Sequence, residues 1–241
     1  MSKAAILVDG GFYHKRRKAL WGEQSASDAA STLVGYCMRH LNAYSKSADR
    51  SANNSSIKDE YKHRELYRIF YYDSPPSSKK VFHPYLNRTV DLKKTDVYEW
   101  NTSFLDELKK KRKVALRLGY LSEEQAHYTI RPSIVKQLFN GKKQFSDLAE
   151  DDFYLSIDQK GVDIKIGTDI TSLAYKKQVD KIILIAGDSD FVPAAKLARR
   201  EGIDFVLDPL HATIKPDLFE HIDGLRTCIG YPKNLSYLKN Q

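Results

Sequence analysis

The chain has 241 residues, 41% of them apolar, which suits one large α/β domain or one domain carrying an insertion. Its 39 Lys and Arg against 31 Asp and Glu leave a net charge of +8, and such a surface favours polyanionic partners such as nucleic acid. Two cysteines exclude a disulfide framework and a zinc cluster, and no run approaches the roughly 18 apolar residues of a membrane helix.

A first strand is expected at Ala4 to Val8, closed by Asp9-Gly10-Gly11, where glycine permits a tight turn and a close backbone approach. It begins so near Met1 that no signal peptide is expected, and with the reduced thiols this gives a cytoplasmic expectation. The basic, aromatic segment Phe12 to Lys18 follows. In it Tyr13 could stack a base, while Lys15, Arg16 and Arg17 could track a phosphate backbone. Residues 28–45 read as a helix with Leu33, Tyr36, Cys37, His40, Leu41 and Tyr44 at helical spacing and Asp28 as its N-cap. Residues 46–58, rich in Ser, Asn and charge, read as a loop. A second strand at 66–72 ends in Asp73 and the turn Ser74-Pro75-Pro76.

Residues 77–150 break the regular pattern. A helix is expected over 101–112, a strand over 114–121 and a short helix over 132–139. The basic run Lys109 to Lys113 reads as a nuclear-import-like patch, a nucleic-acid contact or, most often for such runs, a solvated helix end. After a short apolar run at 153–157, Lys160-Gly161-Val162-Asp163 opens a helix that continues to about Lys177. Ile182 to Ile185 has the look of a strand buried on both faces. It runs into Gly187-Asp188-Ser189-Asp190 and a helix through Arg200. A strand at 203–207 ends in Asp208-Pro209, a short helix spans 217–222, and 225–229 is a last strand. The aromatics Tyr61, Tyr67, Tyr71, Tyr72, Tyr85, Tyr98 and Trp100 would serve core packing or, if exposed, a homodimer face.

Strands separated by helices imply a parallel sheet, and Asp9, Asp73, Asp188 and Asp208 then share its carboxyl edge. At about 100° per residue, Asp163 falls roughly 35° from the middle of the stripe Ile166, Ile170, Leu173, Ala174 and should point inward. Asp169 falls roughly 85° away, on the flank. Pro follows Asp73 and Asp208 closely, so a turn explains both. Asp9, Asp163, Asp188 and Asp190 lack Arg partners in their motifs. Gathered together they would take up protons or bind a divalent cation, and Mg²⁺ and Mn²⁺ take oxygen ligands of this kind. There is no phosphate loop and no nucleophile elbow, and the seven His residues show no zinc spacing. His14 is the one His near the acids and reads as a surface or phosphate contact.

Three motifs in this order, Ile6-Leu7-Val8-Asp9-Gly10, Lys160-Gly161-Val162-Asp163 with Asp169 six residues on, and Gly187-Asp188-Ser189-Asp190-Phe191-Val192-Pro193, resemble the NYN domain, a PIN-like group that includes the bacterial LabA-type proteins. His221-Ile222-Asp223 resembles the family's closing helix. The likeness lies in residues 1–18, 61–76 and 153–229. It implies a PIN-like Rossmannoid α/β fold over 1–241, with a mostly parallel central sheet flanked by helices and residues 77–150 as an inserted α/β segment. It also implies a Mg²⁺ or Mn²⁺ site and hydrolysis of RNA, single-stranded by preference. Carried over by position, Asp9, Asp163, Asp188 and Asp190 become the metal-binding and catalytic acids, with Asp169 a further metal candidate and Lys160 and Ser189 phosphate contacts. One departure is Phe12, where many members have Asn. It keeps open a rival reading, an inactive NYN-type module that binds RNA or a protein. A Toprim-like DNA enzyme ranks lower because Asp9 stands where that class has Glu, and a receiver domain lacks its Lys-ending strand.

Overall fold

The computed structural model describes residues 2–42 and 65–230, so the loop expected at 46–58 and Tyr61 lie outside the described residues. In chain order the elements begin with β1 (Lys3–Asp9), α1 (Gly10–Trp21), α2 (Ala26–Asn42), β2 (Glu65–Asp73), β3 (Lys80–His83), β4 (Arg88–Asp91) and α3 (Asp96–Lys110). Next come β5 (Val114–Leu118), β6 (Tyr120–Leu121), β7 (His127–Ile130), α4 (Pro132–Phe139), β8 (Phe153–Ser156) and β9 (Gln159–Lys160). The last are α5 (Val162–Tyr175), β10 (Lys181–Ile185), α6 (Val192–Arg200), β11 (Asp204–Asp208), α7 (Pro216–Glu220) and β12 (Gly224–Leu225). Two compact units divide the chain: Met1–Asp73, Ser103–Leu118 and Gly161–Gln241 form the first, and Ser74–Thr102 with Gly119–Lys160 the second.

The first unit is built on a six-stranded sheet in the order β12-β11-β10-β1-β2-β5. Each of its five pairings is parallel. After β1 the chain moves towards β2, and after β10 it moves the other way, to β11. The order therefore reverses between β1 and β10, and in open α/β sheets the crevice at such a reversal is where ligands bind.

Ala4 to Val8 and Ile182 to Ile185 are almost wholly buried, as unbroken apolar runs require when both faces of a sheet are covered. On one face Ala5, Leu7, Phe70, Ile182, Leu184, Phe205 and Leu207 pack with Ile166, Ile170 and Leu173 of α5 and Ala195 and Ala198 of α6. Side chains alternate along a strand, so the next residues face the opposite layer. There Tyr71 meets Tyr13 of α1 and Phe104 of α3 at ring-centroid distances of 6.5 and 5.6 Å. Each large side chain buried this way contributes about 1.5–3 kcal/mol.

The second unit holds three antiparallel pairs, β3–β4, β6–β9 and β7–β8. Val81 and His83 of β3 turn inward while Phe82 is 55% exposed, and the His83 ring lies 4.2 Å from that of Tyr128. Strands β3, β4 and β7 were not expected from the sequence. Each is four residues long and mostly polar or half-exposed, so no apolar run marks it.

Three further expectations change. The strand expected over 114–121 is two strands: Val114–Leu118 pairs with β2, and Tyr120–Leu121 pairs antiparallel with β9. The cap of α2 is Ser25, whose Oγ accepts from Asp28 N at 3.1 Å, and Asp28 sits in the first turn, its Oδ2 accepting from Ser25 Oγ at 2.7 Å. The last strand is only Gly224–Leu225. Of the aromatics, Tyr71 and Tyr72 are core residues, while Tyr85 is 48% exposed.

Candidate active site

Asp9 ends β1 and caps α1, its Oδ1 accepting from Phe12 N at 3.0 Å. No other side-chain hydrogen bond or ion pair of Asp9 occurs among the described residues. Burial pushes its pKa up to about 6; the Phe12 bond opposes this, and the charges of Asp163 and Asp73 add to it. The glycine after it is required: a Cβ on Gly10 would lie 2.6 Å from both Tyr72 O and Asp73 Oδ2.

Asp188 and Asp190 follow β10, the strand beside β1. Asp188 Oδ1 accepts from Asp190 N at 3.1 Å and caps the short turn Ser189–Phe191 that leads into α6. Both carboxylates are exposed. Asp163 stands in the first turn of α5. It is exposed rather than turned inward, and Val162 takes the buried position instead. Partial burial raises its pKa, and Asp188 and Asp190 raise it further. Asp163 thus acts on Asp9, and Asp188 and Asp190 act on Asp163; none of the four has a Lys, Arg or His ion-pair partner among the described residues.

Asp169 stands apart from that set. Its Oδ2 accepts from Tyr72 OH at 2.8 Å and Arg117 Nε at 2.9 Å. A carboxylate held by a guanidinium has its charge answered in part already, and through Oδ2 Asp169 ties α5 to β2 and β5.

The basic flank is largely reassigned. Tyr13 is fully buried, and Arg16 and Arg17 are nearly so. Arg16 donates from Nε and Nη2 to Leu210 O, at 3.1 and 2.8 Å. All three lie on the inward face of α1, and none is available to stack or track RNA. Sequence charge misled here because a buried guanidinium and an exposed one read alike. Lys15 is exposed, as are Lys160 and the two acids around the half-buried Ser189.

Two residues assigned to turns do more than that. Asp73 accepts from Tyr71 OH at 2.9 Å and pairs with His14 Nε2 at 3.2 Å, which gives His14 a fixed place between α1 and β2. Asp208 is fully buried. Its oxygens accept from Leu210 N at 2.8 Å, as a turn requires, and also from Thr227 Oγ1 at 2.7 Å, His40 at 2.8 Å and Tyr36 OH. Only a tertiary contact reveals this node, because His40 and Asp208 are 168 residues apart.

The acids suit a hard divalent cation in donor chemistry, being all-oxygen and without cationic partners. Yet among the described residues no three His, Cys, Asp or Glu side chains are gathered closely enough to ligate one ion. The NYN domain model matches residues 90–213, just over half of the chain. The chain belongs to the NYN domain family. As a family NYN domains are PIN-like nucleases, and the parallel α/β sheet fits that fold. The matched span includes Asp163, Asp188 and Asp190, begins after Asp9, and runs through most of 77–150. No curated protein and no solved structure gave a match. Among the described residues no helix is long and apolar enough to cross a membrane.

Proposed function

We propose that this NYN protein is a metal-dependent ribonuclease acting on single-stranded RNA. The observation that carries the reading is the set Asp9, Asp163, Asp188 and Asp190 around the sheet's reversal point, without ion-pair partners among the described residues, with Asp163 raising the proton affinity of Asp9 and Asp188 and Asp190 raising that of Asp163. These four would hold Mg²⁺ or Mn²⁺, and when bound the ion would supply an activated water and charge stabilisation at phosphorus. Because Mg²⁺ keeps several of its waters, carboxylates spaced too widely for direct shared ligation still fit such an ion. Phe12 N anchors Asp9 through Oδ1, which leaves Oδ2 for an ion. Lys15 and Ser189 would contact phosphate. We read residues 77–150 as a subgroup-specific insertion. The second unit carries ten Lys and Arg and ten Asp and Glu, so the net positive charge of the chain belongs to the sheet unit.

The test is cleavage of labelled single-stranded RNA with Mn²⁺ or Mg²⁺, comparing wild type, Asp188→Asn and an EDTA control. Metal-dependent cutting lost in the variant supports the reading, and cutting that persists in the variant sinks this assignment of the acids. A second reading, an inactive RNA-binding or protein-interaction module, is favoured by the spread of the acids noted above. It requires wild type to bind RNA and to leave it intact with every divalent metal.

A further inference from the structure

Burial removes Arg16 and Arg17 from the cations that could hold a substrate, and Lys15 remains on the Asp9 side. The opposite side of the acid set has its own cation. Lys215 immediately precedes α7 in extended conformation, with φ −72° and ψ 144°. Pro216 begins the helix, and Leu218, fully buried in the main core, seats it. The backbone under Lys215 is therefore anchored although its side chain is exposed. Lys215 Nζ donates to Ser189 Oγ at 3.1 Å, and Ser189 lies between Asp188 and Asp190. The ammonium forms no ion pair among the described residues, so one hydroxyl holds it while its charge stays uncommitted.

We propose that Lys215 is a substrate-binding residue that contacts a backbone phosphate of single-stranded RNA on the Asp188–Asp190 side of the site. This rests on the RNA-directed reading above. An ammonium has three donors; one is used on Ser189, leaving two for phosphate oxygens. With Lys15 on the other side, two lysines would hold the phosphates flanking the one placed at the acids. Lys15 favours the ionised form of Asp9 without forming an ion pair with it, and Lys215 is held by a hydroxyl, so the carboxylate oxygens stay available to a metal.

The test measures binding rather than cutting. A labelled single-stranded oligoribonucleotide is titrated in EDTA against wild type, Lys215→Gln and Lys215→Arg over a range of salt concentrations. Loss of one phosphate contact from a single strand lowers the slope of log K against log salt by about 0.7. Lys215→Gln should show that loss and bind about 3–10-fold more weakly at low salt. Lys215→Arg should retain most of the affinity. Equal affinity and slope in Lys215→Gln and wild type would overturn the proposal. So would weaker binding with an unchanged slope and a lowered melting temperature, which would make Lys215 a brace for α7. If wild type never cuts RNA yet Lys215→Gln shows the slope loss, the contact stands and the nuclease reading fails by itself.

Discussion

The ring of Phe12 lies directly against Gly187: a Cβ built on Gly187 would sit 2.6 Å from Phe12 Cε2. The aromatic that departs from the family's Asn thus occupies the space beside the glycine that opens the Asp188–Asp190 motif. Gly187→Ala should force Phe12 aside and cost about 1–3 kcal/mol, as overpacking does. Combining it with Phe12→Ala should recover part of that loss, a coupling readable from urea midpoints of the four proteins in the cycle. Additive effects would mean the two do not touch in solution.

Gly10→Ala should be worse than Gly187→Ala. The new Cβ meets backbone, Tyr72 O at 2.6 Å, and not only the movable ends of Asp73 and Tyr71. An aromatic ring can swing away, whereas a carbonyl in the middle of a sheet cannot. The ranking is checked by comparing the soluble yield and melting temperature of the two variants.

Asp9 gives a pH signature. Its folded pKa of about 6 lies above the usual carboxylate value of 3.8. The folded state therefore takes up a proton more readily than the unfolded chain. The stabilising contribution is complete below about pH 4 and is lost as pH rises through 6. Asp9→Asn, which keeps an acceptor for Phe12 N, should be more stable than wild type at pH 7.5 by on the order of 3 kcal/mol. That advantage should vanish near pH 4. Millimolar Mn²⁺ should raise the melting temperature of wild type and leave Asp9→Asn unmoved, since only an ion that binds the folded state stabilises it. Equal metal shifts in both proteins would exclude Asp9 as a ligand.

His40, held by Asp208 in a buried pair, should make stability depend on pH. Burial opposes a charge on His40, but hydrogen bonds to Asp208 and Cys228 outweigh it and raise the pKa above 6.5. The pair's contribution is thus whole below about 6.5 and declines as pH rises through the higher folded value. Asp208→Asn should cost about 3–5 kcal/mol at pH 6, as removal of one partner from a buried pair does, and less at pH 8.5. Urea unfolding at the two pH values decides it. A cost independent of pH would mean His40 is neutral throughout.

Arg16 and Lys15 should separate cleanly although they are neighbours. Arg16→Gln strips two charged donors from the buried Leu210 carbonyl and should cost about 1.5–3 kcal/mol of stability. Its RNA affinity should match wild type once the folded fraction is taken into account. Lys15→Gln should leave the melting temperature in place and weaken RNA binding with a shallower salt dependence. Melting curves and salt titrations on the two variants test both halves.

The unbroken apolar runs Ala4 to Val8 and Ile182 to Ile185 were enough to mark buried parallel strands, because only strands covered on both faces can be apolar throughout. Their terminal acids, with Gly161-Val162-Asp163, located the candidate site and the family, since strand ends and helix starts are local features. Long-range contact decided the rest. Tyr13, Arg16 and Arg17 became core residues because α1 packs on the sheet with that face, and its pattern of charge does not record which side meets Leu210. Asp169 lost part of its free charge to Arg117, 52 residues away. Asp208 became the centre of a buried network through Tyr36 and His40 of α2. Strand order placed Asp9 beside the Asp188 motif, and a lysine after β11 reached Ser189. Pairing and burial depend on contacts between distant segments, so local periodicity carries no trace of them.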